Sequence, residues 1–119
     1  IGYLAALETF HVYYNDIGGS FPDSFRHLTN LKGIGMMKTG LSGSLPEWIG
    51  TLTRLTTLGL GDNKLHGSIP DSIENLRDLK ILGLDGNGGL MGNIEKLKHL
   101  SNLEALYLES NALTGNLHN

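Results

Sequence analysis

At 119 residues, with 39% hydrophobic and 18% charged side chains, the chain fits one domain or a piece of one and is too apolar for intrinsic disorder. A formal net charge of −3 gives no electrostatic case for a phosphate-backbone partner, so no nucleic acid is expected. The lack of cysteine excludes disulfides, thiolate catalysis and cysteine zinc sites, while seventeen glycines against three prolines imply many tight backbone positions without a collagen-like triplet.

Leucines at 4, 28, 52, 76 and 100 recur every 24 residues and open five segments. The first runs through Leu4, Leu7, Phe10, Val12, Asn15, Ile17, Gly19, Phe21, Pro22 and Phe25. The second repeats it as Leu28, Leu31, Ile34, Met36, Thr39, Leu41, Gly43, Leu45, Pro46 and Ile49, and the third as Leu52, Leu55, Leu58, Leu60, Asn63, Leu65, Gly67, Ile69, Pro70 and Ile73. In the fourth, Leu90, Gly92 and Ile94 sit one place late and no Pro follows Ile94. This reads as a one-residue insertion in the turn Gly86–Gly89, compensated by a deletion before Leu97. The fifth runs from Leu100 through Leu103, Leu106, Leu108, Asn111, Leu113, Gly115 and Leu117.

Within each segment the pattern Leu58-Gly59-Leu60 alternates with period two, which predicts a short strand with one buried face. Successive parallel strands would stack about 4.8 Å apart, with Asn15, Asn63, Asn87 and Asn111 in one buried file that Thr39 interrupts. Each buried amide must then bond to backbone groups of its own turn and the next. Gly43 and Gly67 stand where the backbone needs an unusual φ, and Pro70 followed by Asp71 to Leu76 predicts one turn of helix or 3-10 helix. The longest apolar runs are a few residues, so neither a membrane-spanning helix nor a signal peptide is expected. Leu4 and Leu7 at one end, and Leu106 and Leu108 at the other, are expected to be exposed, which points to missing caps and an internal segment of a longer polypeptide.

The recurring Leu-x-x-Leu-x-x-Leu-x-Leu-x-x-Asn-x-Leu-x-Gly-x-Ile-Pro resembles the leucine-rich repeat, and its tail is similar to the plant-type subclass found in receptor-like kinases, receptor-like proteins and polygalacturonase inhibitors. The resemblance covers essentially the whole chain. It implies an α/β leucine-rich-repeat solenoid over residues 1–119: a right-handed coil, a parallel concave β-sheet and convex 3-10 or short helical turns. It also implies a second sheet on the convex side, and the fourth segment leaves open whether that sheet continues there.

In such an architecture the residues alternating with the buried leucines face outward from the concave sheet. The candidate ligand-binding residues are His11, Tyr13, Tyr14, Met37, Lys38, Asp62, Asp85, Tyr107 and Glu109. The tyrosines would be rigid anchors, and the charged residues and Met37 would set specificity. Across the middle of the face the file reads His11, Gly35, Gly59, Gly83 and Tyr107, a bare strip of backbone flanked by rings. Most exposed residues of a repeat scaffold nonetheless touch no ligand.

Enzymatic readings fare poorly. His11, His27, His66, His99 and His118 fall at different phases of the repeat and form no metal-ligand pair, so neither metal nor cofactor is expected. The stretch Gly83–Gly89 lacks the Lys-Ser/Thr of a phosphate loop and the closing Glu of an EF-hand. Thr53, Thr56 and Thr57 do not recur at one phase, so they make no ice-like hydroxyl lattice, and Trp48 is expected to be partly buried against the next segment. The expected function is a non-catalytic recognition module from a receptor-like ectodomain, binding a peptide, a protein or a co-receptor on its concave face. Its rivals are a secreted inhibitor similar to polygalacturonase inhibitors and an intracellular scaffold, which the absence of Asn-x-Ser/Thr sites keeps open beside an extracellular location.

Overall fold

The computed structural model describes residues 6–117, so Leu4 and His118 lie outside the described residues. Five three-residue strands form one parallel sheet in the order β1 (Thr9–His11), β2 (Gly33–Gly35), β4 (Thr57–Gly59), β6 (Ile81–Gly83) and β8 (Ala105–Tyr107). The register follows the 24-residue period: Phe10 pairs with Ile34, Ile34 with Leu58, Leu58 with Leu82 and Leu82 with Leu106. These central residues point inward, and Ile34, Leu58 and Leu82 are fully buried. Burying one such side chain contributes about 1.5–3 kcal/mol, repeated coil after coil.

Each coil then crosses to a second parallel sheet, β3 (Ser42–Gly43), β5 (Lys64–Ser68), β7 (Gly89–Asn93) and β9 (Ala112–Thr114). It returns along 3-10 turns at Asp23–His27, Glu47–Thr51, Asp71–Asn75 and Glu95–His99. Only five residues separate each cap from the leucine that closes the turn, Leu28, Leu52, Leu76 or Leu100, and tight 3-10 winding spans that distance. Pro22, Pro46 and Pro70 precede the first three turns in extended conformation, and each turn buries one apolar side chain, Phe25, Ile49, Ile73 or Leu97. Parallel sheets joined by short 3-10 turns are the solenoid that the repeat implied.

The amides behave as a ladder in the middle of the stack. Asn63, only 7% exposed, accepts at Oδ1 from the N–H groups of Thr39 at 2.9 Å and Leu41 at 3.1 Å. Its Nδ2 donates to the carbonyls of Met36 at 2.7 Å and Leu60 at 3.0 Å, so one side chain binds two coils. Asn87 repeats this with Leu65 N–H and the Leu60 and Leu84 carbonyls, and Asn111 with Leu90 N–H and the Leu84 and Leu108 carbonyls. Asn15 departs from the expected buried file. It is exposed and its amide donates to its own coil alone, to the Tyr13 carbonyl at 3.1 Å. The other amides each reach back to the coil before, Asn63 to Met36, Asn87 to Leu60 and Asn111 to Leu84, and no described coil precedes Asn15.

The second sheet continues through the fourth coil. Gly43 pairs with Leu65, Gly67 with Leu90 and Gly92 with Leu113, so the offset changes from 22 to 23 and then to 21 residues. The inserted residue is absorbed between Asn87 and Leu90. The deletion falls between Gly92 and Glu95, where Ile94 stands in the place of the prolines with φ −94° and ψ 4°. Asn93 replaces the lost proline by accepting the Glu95 N–H at 2.7 Å.

Two packing expectations are corrected. Leu7, Leu106 and Leu108 are half-buried against the common core rather than exposed, because each faces inward and is covered by one neighbouring coil. Trp48 packs on the preceding coil, not the next. Its Nε1 donates to Asp23 Oδ1 at 3.3 Å and its ring meets Phe21 edge-on at 5.6 Å. In the same turn Gly50 brings the backbone directly against Ser72 of the next coil.

Candidate functional site

The concave face carries a slot of about 320 Å³, within the range of small-ligand sites. Its floor is the glycine file Gly35, Gly59 and Gly83 with Gly61, and its walls carry Tyr13, Met37, Asp85 and Tyr107. Thr57 and Ile81 close the end nearest the strand starts. Gly59 is the open centre: a Cβ there would meet nothing nearer than the Ile34 carbonyl at 3.9 Å. Gly35 is covered, because a Cβ there would overlap the Tyr13 hydroxyl.

Tyr13 holds this inward pose through two contacts with His11, a hydrogen bond between its hydroxyl and His11 Nδ1 at 3.1 Å and an edge-on ring contact at 5.7 Å. The near wall is therefore Tyr13. His11, placed there by the alternation, lies over Gly33, where its Nε2 would be 3.3 Å from a Cβ. Tyr107 forms the far wall beside Gly83, and the two rings remain 40% and 49% exposed. Asp85 leans over Gly61, its Oδ1 2.8 Å from where a Cβ would stand.

The other expected residues lie on the rim. Tyr14, Lys38, Asp62 and Ser110 occupy one phase of the repeat, and all four have positive φ, 59°, 55°, 56° and 59°. This left-handed conformation carries their side chains away from the slot. Lys38 Nζ stands 5.2 Å over the Tyr14 ring, a cation–π contact, and Asp62 packs against Gly86, which holds the same phase with φ 72°. Glu109 turns back to accept the Leu108 N–H at 3.1 Å. The slot thus gathers Tyr13, Met37, Asp85 and Tyr107 from the nine candidates and leaves His11, Tyr14, Lys38, Asp62 and Glu109 outside its lining.

Ile81 and Thr57 were not among the candidates. The signal for Ile81 was present in the sequence, since the other coils place Thr9, Gly33, Thr57 and Ala105 at its phase. The histidines stay dispersed: His99 lies 3.6 Å from Glu74 on the convex side, and His66 is exposed on β5. Thr56 donates its hydroxyl to the Lys32 carbonyl at 3.1 Å, joining two coils.

The family model described as Leucine Rich Repeat matches residues 6–28 and 54–76. No curated protein sequence matches the chain. Among solved structures, a TDR receptor is 41% identical with a TM-score of 0.89, over 94% of this chain and 19% of that one. A plant ice-binding protein is 33% identical with a TM-score of 0.87, over 94% of this chain and 36% of its own. The Arabidopsis receptor kinase HAESA, in complex with the peptide hormone IDA and the co-receptor SERK1, is 32% identical with a TM-score of 0.87, over 95% of this chain and 19% of its own. The chain therefore spans between about a fifth and just over a third of the length of these structures. Their fold, the matched repeats and the amide ladder agree: the chain is built of leucine-rich repeats similar to those of the plant type.

Proposed function

We propose that the chain is a non-catalytic recognition segment of a receptor-like ectodomain, and that its concave slot holds part of a peptide or protein ligand, with a co-receptor as a further partner. The observation that carries this reading is the slot itself: two half-exposed tyrosines face each other across bare glycine backbone. Tyrosine supplies a large amphipathic contact with little rotamer entropy to lose, which suits an anchor. The likeness to a receptor kinase solved with a peptide hormone and a co-receptor supports the same reading. It also supports placing the chain on the extracellular side of a membrane protein. Among the described residues no helix is long and apolar enough to cross a membrane, so any span would belong to another part of such a protein.

A random-peptide library displayed on phage and panned on the protein tests the reading. Selected peptides are expected to bind the triple variant Tyr13→Ala, Tyr14→Ala, Tyr107→Ala at least about tenfold more weakly, with an unchanged far-ultraviolet circular dichroism spectrum. Gly59→Leu should have the same effect by filling the slot, since that position has free space and a β-compatible backbone. Unchanged affinity in both variants would remove the concave face from consideration.

A further inference from the structure

The slot is electrostatically one-sided. Asp85 is half-buried in its wall, and the carboxylate makes no hydrogen bond or ion pair among the described residues. Asp62 and Glu109 stand on the two neighbouring coils at the same edge of the sheet. Lys38, on that edge one coil further, is drawn off over the Tyr14 ring. A cation entering the slot would meet an unpaired carboxylate able to accept charge-assisted hydrogen bonds.

Shape narrows the cation. Gly35 and Gly83 are two coils apart, about 10 Å at the usual strand spacing. Tyr13 covers Gly35 and Tyr107 abuts Gly83, so the opening over Gly59 is narrower than that and walled by ring faces and edges. It suits a flat group on a slender stem. Ile81 and Thr57 offer the stem an apolar bed at one end, and Asp85 meets the head at the other.

We propose that this slot reads an arginine side chain of the ligand, the guanidinium stacking on Tyr107 and donating in fork geometry to Asp85. Arginine combines a planar face for the ring with paired donors for the carboxylate, whereas lysine satisfies the charge alone. The inference rests on the concave-face reading above and narrows it to one ligand residue.

The experiment pans the same phage library on the wild-type protein and on Asp85→Asn and Asp85→Lys. Peptides selected on the wild type should share an arginine, and replacing it by neutral, isosteric citrulline should weaken binding about tenfold or more. Asp85→Asn should show the same loss toward the arginine peptides, and Asp85→Lys should select peptides enriched in Asp or Glu instead. The Asp85 side chain anchors nothing in the fold, so circular dichroism should not change, and Asp62→Asn on the rim serves as the control. Pools without arginine, or arginine peptides indifferent to Asp85→Asn yet lost with the tyrosine triple variant, overturn the arginine assignment and leave the concave face standing. A library yielding no binder sensitive to either set of variants overturns both.

Discussion

The turn after β4 and the turn after β1 are built from the same repeat letters, yet they close differently. In the first, Asn63 is buried and its amide reaches the carbonyls of Met36 and Leu60 together with the N–H groups of Thr39 and Leu41. In the second, Asn15 is exposed, and Ile17, 57% exposed, donates its N–H to the carbonyl of Asn15 at 2.9 Å instead of to an amide from the next coil. The difference lies outside the loose turn. Thr39, one coil on, offers Ile17 no amide oxygen because its hydroxyl bonds within its own coil and to Asn63, and no described coil precedes Asn15 for its own amide to reach. The ladder is therefore a property of neighbours: each amide reaches back to the coil before it, and each turn is closed by the amide of the coil after it.

Three substitutions grade this contrast. Asn63→Ala should have the largest effect, a destabilisation of about 1–3 kcal/mol, because it orphans buried backbone groups on two coils. A urea unfolding midpoint reads it, and a change below about 0.5 kcal/mol would refute the ladder as a source of stability. Thr39→Asn should act in the opposite direction. An amide there can accept the Ile17 N–H and donate to the Val12 carbonyl, adding about 0.5–1.5 kcal/mol. Amide hydrogen exchange at Ile17 should slow with it; unaltered exchange would mean that the first turn is loose for another reason. Asn15→Ala should be the smallest, within about 0.5 kcal/mol, since the side chain holds one exposed bond in its own turn. If Asn15→Ala cost as much as Asn63→Ala, the two turns would be equivalent and the contrast would fail.

The concave face follows the same division between letters and neighbours. Alternation identifies which residues face outward, and it lists Tyr13, Asp85 and Tyr107 correctly as concave. It does not show that Tyr13, two residues beyond His11, folds back over Gly35 while His11 settles over Gly33. Nor does it separate Asp85, which enters the slot, from Asp62, which the left-handed backbone turns onto the rim. That conformation was obscured because four of its five occupants are not glycine. Gly86 alone marks the phase where positive φ is easy, whereas Gly43 and Gly67, with φ of 81° and 76°, were legible by residue type.

The 24-residue period was enough to establish the coil, the inward leucines, the proline-led turns and the position of the fourth-coil insertion, because each depends on spacing along the chain that packing then only confirms. The folded solenoid alone settled which asparagines are buried, which ring walls the slot and which carboxylate lacks a partner. Those outcomes depend on side chains from adjacent coils, some two dozen residues apart, competing for the same few ångströms and the same donors, and nothing within a single repeat records the result.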